Sequence, residues 1–386
     1  MNNVCLSELD EKQKSQLEYE LINRLAAYAL PSITKIDLYI TEKCTLNCDY
    51  CFVDNKKPLT ASWNVIRKGI DFLMQQSRDS PTVTIVFFGG EPLMEFELMK
   101  ATANYASISA TNLGKKPEYA VTTNGTIMSE EIALFGRRYG FNYLLSIDPG
   151  KAAHDLHRKT KDGRSSWDIV TGTNFDILKS IQGWMGARLT VNPDTVRYLS
   201  DGVEALFERG VNQFLIGLNL DVDWLPEELE TLTIEWRKIV SFYIKARSQG
   251  APLRIIELED TPDQREHLHC NSWGCSAGRT QMAISIYGDL YPCAKFVSSY
   301  SLAEKYRLGD VENGVKSIES RMELLGQKDE LRPDCAICSV CDACSGGCFA
   351  INQRRCGSIY KPCPEQCFLT RLYNELATIV HRASIG

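Results

Sequence analysis

This 386-residue sequence contains no run approaching the ~20 apolar residues of a membrane span, and it has no apolar signal segment. It has no block of like charges and no basic stripe, and its formal net charge of −6 argues against nucleic acid as the main partner. Hydrophobic residues at 44% and charged residues at 24% are ordinary for a globular chain, so the composition gives no sign of disorder. We therefore expect a cytoplasmic protein of two or three domains that binds neither membrane nor nucleic acid.

The chain also has no cysteine between Cys51 and Cys270, although it contains fifteen in all. Cys5 stands alone, a group of three ends at Cys51, and eleven more lie between Cys270 and Cys367. In a reducing compartment, grouped cysteines bind metal more often than they form disulfides. The sequence thus divides into a cysteine-poor body and a cysteine-rich tail.

The first group, Cys44, Cys48 and Cys51, has the spacing C-x3-C-x2-C in a loop that follows the β-like run 36–40. Thiolates select iron-sulfur clusters or zinc. A zinc knuckle would need a fourth cysteine or histidine nearby, yet the nearest histidine is His154. A four-iron cluster takes four ligands, so three from one loop leave one iron open.

The body alternates between strand-like and helix-like patterns. After an amphipathic helix within residues 1–31, residues 32–250 predict six strand and helix units, which indicate an α/β fold with a parallel sheet, curled or closed. The predicted strands are 36–40, 82–88, 119–123, 143–147, 188–192 and 213–218, and the predicted helices are 62–74, 93–108, 129–138, 167–181, 201–209 and 226–247.

Polar residues and glycines stand at the carboxyl ends of these strands, where parallel α/β barrels bind ligands. Gly89, Gly90 and Glu91 end the second strand, Asn124 the third, and Ser146 the fourth, while Arg158 follows in the segment HDLHR. A tight turn, a helix cap or a surface ion pair are the alternative explanations for each. For His154 and His157 we expect exposed positions with no catalytic role.

The tail, residues 251–386, opens with Cys270 and Cys275 and continues through a strand and a hairpin at Gly288 to Cys293. A dense run of cysteines follows from Cys335 onward. Two pairings of this run compete: Cys338, Cys341, Cys344 and Cys348 have bacterial ferredoxin spacing, and Cys335, Cys338, Cys344 and Cys348 give C-x2-C-x5-C-x3-C with Cys341 spare.

The cysteine triad, Tyr50 before its third member and the sequence GGEP together resemble the radical S-adenosylmethionine (SAM) enzymes. The resemblance implies a partial (β/α)6 TIM-like barrel and an open iron that chelates the amino and carboxylate groups of SAM. It also implies cofactor contacts from seven residues: Tyr50, Gly89, Gly90, Glu91, Asn124, Ser146 and Arg158.

The tail resembles the SPASM domain, which holds two auxiliary clusters, so three 4Fe-4S clusters are expected. This likeness favours the second pairing. One auxiliary cluster would use Cys270, Cys275, Cys293 and Cys348, and the other Cys335, Cys338, Cys344 and Cys367, with Cys363 as the alternative last ligand.

Enzymes with this domain pair mostly modify ribosomally made peptides, so the resemblance implies a precursor peptide substrate and a crosslink or backbone excision. The stretches FVDNKKPL and FFGGEPLM are most similar to maturases of precursors with nitrogen-fixation-type leaders, including tyramine-excising spliceases. A flavodoxin or ferredoxin would donate electrons, and we expect a separate leader-binding protein because only about thirty residues precede the first strand. No residue is assigned as a catalytic acid or base.

Two other functions compete with this interpretation. Anaerobic sulfatase maturases have an aspartate base directly after the YPC cysteine, where this chain has Ala294. An iron-sulfur electron carrier would explain the tail, but not the triad, GGEP and the six-unit body together.

Overall fold

The computed structural model describes residues 29–53, 56–259, 275–297, 300–325, 335–341 and 344–385, together with Asp10 and Lys14. The predicted helix within residues 1–31 and the predicted ligand Cys270 lie outside the described residues, apart from the helix's last positions. No helix in the described ranges combines the length and the apolar character needed to cross a membrane.

The described strands form one eleven-stranded sheet. Their bounds are β1 Lys35–Thr41, β2 Thr82–Gly89, β3 Lys116–Thr123, β4 Asn142–Ser146, β5 Gly186–Val191, β6 Gln213–Leu218, β7 Arg254–Ile255, β8 Gln281–Ile284, β9 Asp289–Tyr291, β10 Gly309–Asp310 and β11 Gly314–Val315.

Helices alternate with these strands in the body and continue through the tail. Their bounds are α1 Trp63–Gln76, α2 Phe96–Asn112, α3 Glu130–Tyr139, α4 Lys151–His157, α5 Trp167–Val170, α6 Thr173–Ile181, α7 Leu199–Glu208, α8 Pro226–Ser248, α9 Ile256–Glu259, α10 Ala294–Val297, α11 Tyr300–Lys305, α12 Ile318–Glu323, α13 Phe349–Cys356 and α14 Pro364–Ile385. Two 3-10 turns, Pro92–Glu95 and Pro193–Tyr198, follow β2 and β5.

The strand order is β11-β10-β9-β8-β1-β2-β3-β4-β5-β6-β7, and strands β1 to β7 run parallel. Strand β8 of the tail pairs in parallel with β1, and the antiparallel strands β9, β10 and β11 follow it. The tail therefore extends the edge of the body's sheet. The carboxyl ends of β1 to β6 meet at one edge, and this arrangement positions the site.

Burial differs along the parallel sheet: β1 is covered on both faces, whereas β3 and β4 include exposed and partly exposed residues. Strand β1 has six of its seven residues buried, and the helices contribute their apolar faces to the same core. Ordinary caps set the helix ends: Ser129 accepts a hydrogen bond from the backbone of Ile132 at the start of α3, and Gly140 ends that helix in the left-handed conformation.

The α/β fold class, the six strand and helix units and the hairpin at Gly288 are confirmed. One predicted element is wrong, because the single helix 167–181 is two helices, α5 and α6. Gly172 separates them with a non-helical backbone, φ −84° and ψ −141°. The boundaries at residues 31 and 250 stay predictions, although β7 and α9 continue the parallel sheet beyond residue 250.

Candidate functional site

The loop that carries Cys44, Cys48 and Cys51 follows β1 directly and lies against the end of β2. The backbone N–H of Gly90 donates to Thr41 O at 2.9 Å, and that of Glu91 donates to the carbonyl of Lys43 at 2.8 Å. Cys44 is buried, whereas the other two thiols are partly exposed. The ladder between β1 and β2 thus continues past the strands and fixes where the loop begins.

Gly89 and Gly90 are required by this close approach. Gly89 has a φ of +131°, and a Cβ there would meet Thr41 O at 2.0 Å. A Cβ on Gly90 would meet the carbonyl oxygen of Lys43 at 2.1 Å. The backbone that these glycines admit is therefore that of the cysteine loop, while both residues also line the adjoining cavity.

The Glu91 carboxylate is buried and points at protein donors. It accepts hydrogen bonds from Leu93 N at 3.2 Å, Thr123 Oγ1 at 2.9 Å and Asn124 N at 2.7 Å. Burial raises its pKa to about 7, although these hydrogen bonds favour the charged form. Glu91 is not among the residues lining the cavity, so its carboxylate fastens the end of β2 to β3.

The Asn124 side chain fastens the cysteine loop to β3. Its Nδ2 lies 3.0 Å from Thr45 Oγ1 and 3.6 Å from Cys44 Sγ, and its Oδ1 accepts from Thr126 N at 3.0 Å. Asn124 also lines the cavity. The strand-end prediction placed this residue at the site, and the structure adds that it orients the first thiol.

Asp148 is a buried carboxylate that joins three parts of the site. Oδ2 accepts from the Tyr50 hydroxyl and from Arg158 Nε at 3.0 Å, and Oδ1 accepts from Thr190 N on β5 at 3.0 Å. The Arg158 guanidinium also lies 5.3 Å from the centre of the Tyr50 ring. One carboxylate therefore holds the aromatic residue of the cysteine loop and the cavity's arginine in fixed positions.

Arg158 is buried beside this carboxylate. Burial alone would lower its pKa, but the neighbouring groups, led by the Asp148 carboxylate, outweigh burial and raise it. The guanidinium is therefore a permanent cation that uses Nε for Asp148 and lines the cavity.

The expectation of an exposed His154 is wrong. This side chain is fully buried, with Nδ1 accepting from Asp148 N at 3.3 Å and Nε2 lying 2.8 Å from Ser166 Oγ. Burial lowers its pKa to about 4. His157 is also largely covered and lies 3.0 Å from the carboxylates of Asp49 and Asp194. Both histidines therefore support the loop around the site.

A cavity of about 360 Å³ lies at this edge of the sheet. Nine of the predicted site residues line it: Cys44, Cys48, Cys51, Tyr50, Gly89, Gly90, Asn124, Ser146 and Arg158. It also contains charged residues that the sequence did not point to: Lys56, Arg188, Asp221 and Lys295. Of these, Arg188 on β5 pairs with Ser146 on β4, a neighbour relation that only the strand register of the structure reveals.

Five tail cysteines surround a second, smaller cavity of about 30 Å³. They are Cys335, Cys338, Cys341, Cys344 and Cys367, joined by Val340, Pro362 and Thr370. Cys363, the alternative last ligand, is buried elsewhere and does not line this cavity. The placement favours Cys367 as the fourth ligand and puts Cys341 next to the set.

Three thiols of the other predicted tail cluster also lie near one another. Burial raises the pKa of Cys275 to about 11 and that of Cys293 well above its ordinary value, and the Cys348 thiol raises both further. The segment after Cys293 is tied to β1, since Tyr39 donates to the carbonyl of Ala294 at 2.9 Å. The fourth predicted member, Cys270, lies outside the described residues.

These donor sets fit iron-sulfur clusters. All thirteen cysteines of the described ranges are free of disulfides, and no described group of histidine, cysteine or acidic residues is arranged to hold a single metal ion. Soft thiolate donors in sets of three or more suit polynuclear iron centres. The barrel loop supplies three such donors beside an open cavity, and the tail supplies one set of five and one set of three among its described residues.

Comparison with known proteins gives the following matches. A family model described as the Radical SAM superfamily matches residues 38–174, and the SPASM model, described as an iron-sulfur cluster-binding domain, matches residues 275–345. The chain is 28% identical over 263 residues to an uncharacterized protein of Methanocaldococcus jannaschii, covering 66% of this chain and 83% of that protein.

Two of the similar proteins are enzymes named for an activity. A serine-type anaerobic sulfatase-maturating enzyme of Klebsiella aerogenes is 25% identical over 353 residues, covering 82% of this chain and 81% of that enzyme. The radical SAM cyclopropyl synthase TigE of Paramaledivibacter caminithermalis is 24% identical over 352 residues, covering 85% and 70%.

Solved structures share the fold. Native anSMEcpe with bound AdoMet aligns with a TM-score of 0.73 at 18% identity, covering 91% of this chain and 99% of that one. Streptococcus suis SuiB bound to its precursor peptide SuiA aligns with a TM-score of 0.53 at 16% identity, covering 95% and 83%.

Proposed function

We propose that this chain abstracts hydrogen from a ribosomally made precursor peptide to install a crosslink or to excise part of the backbone. The chain carries a radical SAM domain followed by a SPASM domain and is therefore a radical SAM enzyme. The observation that carries the proposal is the cavity of about 360 Å³, onto which three thiols, Ser146 and Arg158 open together. Three thiols supply one ligand fewer than a four-iron cluster needs, and the cavity leaves space beside them.

Cys44, Cys48 and Cys51 would hold a four-iron cluster, which, with SAM bound and one electron from a reductant, would supply reductive cleavage of SAM to methionine and a 5′-deoxyadenosyl radical for hydrogen abstraction from the substrate. The protein's own residues bind the reactants and exclude water around them.

Within the cavity, the residues divide by chemistry. Arg158, held by Asp148, and the Ser146 hydroxyl suit the carboxylate of the cofactor's methionine moiety. The backbone carbonyls at Gly89 and Gly90 suit its ammonium group. Glu91 and Asn124 act indirectly, because their hydrogen bonds hold β3 and the cysteine loop in position.

Two of the similar proteins support a peptide or protein substrate: a sulfatase-maturating enzyme, and SuiB in a structure with its precursor peptide. The strongest competing function is formylglycine formation on a sulfatase. The residue after Cys293 argues against it, since Ala294 is buried, offers no carboxylate and donates its backbone N–H to Asp37 at 3.3 Å.

The tail thiols support two further clusters that transfer electrons or shape the pocket. With three four-iron clusters, the reconstituted chain should contain about 12 irons. A flavodoxin or ferredoxin is the expected electron donor.

The test is anaerobic reconstitution, measurement of iron and sulfide, and incubation with SAM and dithionite. We expect 5′-deoxyadenosine and methionine in equal amounts, and no 5′-deoxyadenosine from a chain in which Cys51 is replaced by Ala. A fully iron-loaded wild type that forms no 5′-deoxyadenosine would refute the enzyme function. Mass spectrometry of a sulfatase peptide incubated with the enzyme separates the alternatives, since formation of an aldehyde at its serine or cysteine would support the maturase instead.

A further inference from the structure

Two cations in the cavity have no acidic partner among the described residues, and the assigned cofactor contacts do not use them. Among the described residues, the charged lining of the cavity consists of Lys56, Arg158, Arg188, Lys295 and one acid, Asp221. Asp221 is paired from outside, because Arg354 NH2 lies 2.6 and 2.8 Å from its two carboxylate oxygens. The lining therefore carries a strong excess of positive charge.

Lys56 and Arg158 belong to the cluster and cofactor end. The Nζ of Lys56 lies 3.5 Å from the carbonyl oxygen of Leu46, which stands between Cys44 and Cys48 in the cysteine loop. Arg158 is held by Asp148. Arg188 and Lys295 remain.

Arg188 occupies a space that the neighbouring strands leave open for its side chain. It projects from β5 beside Ser146 of β4 and Leu215 of β6, both of which line the cavity. Its guanidinium lies over Gly217, where a Cβ would meet Arg188 NH2 at 2.3 Å and Cζ at 2.8 Å. Glycine at this position keeps the space that the guanidinium fills.

No described residue gives the Arg188 guanidinium a hydrogen bond or an ion pair within 4 Å. The nearby carboxylate of Glu257 accepts instead from the backbone N–H of Ile216 at 2.8 Å. Burial raises the pKa of the Tyr373 hydroxyl most strongly. Glu257 raises the same pKa further, and Arg188 lowers it, so both charges lie near Tyr373. Glu257 is thus in the neighbourhood of Arg188 without forming a salt bridge to it.

Lys295 reaches the same cavity from the tail. It follows Cys293 by two positions, and its Nζ lies 5.1 Å from the centre of the Phe52 ring in the cysteine loop. Among the described residues it has no acidic partner either. An aromatic face holds a lysine in position without neutralising its charge.

We propose that Arg188 and Lys295 bind a carboxylate of the substrate, so that the peptide carries an acidic side chain or a free C-terminal carboxylate beside the carbon that loses hydrogen. This inference rests on the proposed function. Cations that are partly removed from water and lack a protein counterion favour an anionic ligand, and the fork of an arginine suits a carboxylate. The substrate contact then comes from both domains, β5 of the barrel and the segment after the tail's Cys293.

The test is a binding titration of three acetylated peptides against cluster-loaded enzyme in saturating SAM, under anaerobic conditions. The first has a central Glu and an amidated C-terminus, the second has Gln in its place, and the third has the central Gln with a free C-terminal carboxylate. We expect one of the two carboxylate peptides to bind about tenfold or more tightly than the neutral one, as for a hydrogen bond to a charged group. Which one binds identifies the source of the carboxylate.

The preference should disappear in Arg188→Gln and Lys295→Gln. It should also weaken in Gly217→Ala, which keeps the charge but displaces the guanidinium. Matched controls are Arg197→Gln, whose guanidinium contacts Tyr198, and Lys305→Gln, whose ammonium lies over the Tyr306 ring outside the cavity. Both controls should keep the preference.

Three results would overturn the proposal: similar binding of all three peptides by the wild type, no binding at millimolar concentration, or a preference that survives in Arg188→Gln. A tenfold loss of SAM affinity in Arg188→Gln with the peptide preference intact would also overturn it and would assign Arg188 to the cofactor carboxylate. Failure of the proposed function is read separately, as absence of 5′-deoxyadenosine from iron-loaded wild type.

Discussion

The barrel and the tail offer the same thiolate ligands in opposite surroundings. The barrel's three cysteines face a cavity of about 360 Å³ with serine, asparagine, arginine and lysine in its walls. The five tail cysteines close around about 30 Å³ together with Val340 and Pro362. A cluster in the first place has space and several polar side chains beside it, whereas a cluster in the second has little space and, among the described lining residues, Thr370 as its polar neighbour. We therefore expect the first set of thiols to serve a cofactor-binding centre and the second to serve electron transfer.

We call the barrel's three thiols the barrel cage (Cys44, Cys48 and Cys51) and the five tail thiols the tail cage (Cys335, Cys338, Cys341, Cys344 and Cys367). Different buried polar groups hold the surroundings of the two cages in place. The barrel site depends on a buried ion pair, Asp148 with Arg158, which holds Tyr50 as well. In the tail a buried neutral amide does this work: Asn352 Nδ2 donates to Gly346 O at 2.9 Å and to Ile359 O at 3.0 Å. Charge is thus concentrated where a charged cofactor is expected.

The largest effect should separate Cys48→Ala from Cys344→Ala. Cys48→Ala removes one of only three barrel ligands, so formation of 5′-deoxyadenosine should be abolished while about two thirds of the iron remains. Cys344→Ala should also lose about a third of the iron, but it should retain some SAM cleavage and lose the peptide product. Iron analysis and chromatography of the nucleoside measure both.

Cys356→Ala is the matched control, because Cys356 lines neither cavity. If Cys344→Ala abolished SAM cleavage as completely as Cys48→Ala, the functional separation of the two cages would be wrong.

The second prediction compares the contributions of the two buried polar groups, Asp148 and Asn352, to stability. Asp148→Asn leaves the Arg158 cation buried without its counterion, and we expect a loss of about 3–5 kcal/mol in unfolding free energy. Asn352→Ala leaves two carbonyls unsatisfied and should cost less, about 1–3 kcal/mol. Thermal unfolding of the cluster-loaded variants measures both. A larger loss in Asn352→Ala would show that the tail, rather than the barrel site, depends more on its buried polar brace.

Asp148 also shows where prediction from sequence stops. The thiols, the strands and the polar strand ends follow from local spacing and periodicity, and the structure brings most of these residues to one cavity. The directions of the Glu91 and Asp148 carboxylates do not follow, because their partners, Thr123 and Thr190, lie on other strands. Arg188 became visible only through its pairing with Ser146, since strand register is a tertiary property.

The third prediction concerns a smaller effect, the contribution of His154 to the pH dependence of the unfolding free energy. Burial holds its folded pKa at about 4, below the ordinary value of 6.5. The unfolded chain therefore takes up a proton as pH falls through 6.5, whereas the folded chain does so only near 4, and stability is lost across this window. Between pH 7 and 5 we expect His154 to account for a loss of about 2 kcal/mol.

His154→Gln should be free of this loss, so the wild type and the variant should converge in stability near neutral pH and diverge on acidification. The control is His157→Gln. Burial lowers the His157 pKa, but Asp49 and Asp194 raise it by more, so its contribution has the opposite sign and fades as pH rises. Unfolding of each variant between pH 7.5 and 5 measures the slopes, and parallel curves for His154→Gln and wild type would contradict the prediction.

The smallest effect is expected at the fifth thiol of the tail cage. Cys341 lines the same cavity as Cys335, Cys338, Cys344 and Cys367, yet four ligands complete a cube. Cys341→Ala should therefore leave the iron content and the cluster's electron paramagnetic resonance signal unchanged. If Cys341 can replace a lost neighbour, Cys367→Ala should retain more iron than the double variant Cys341→Ala/Cys367→Ala. A loss of about four irons in Cys341→Ala alone would instead make Cys341 a ligand and restore the ferredoxin pairing.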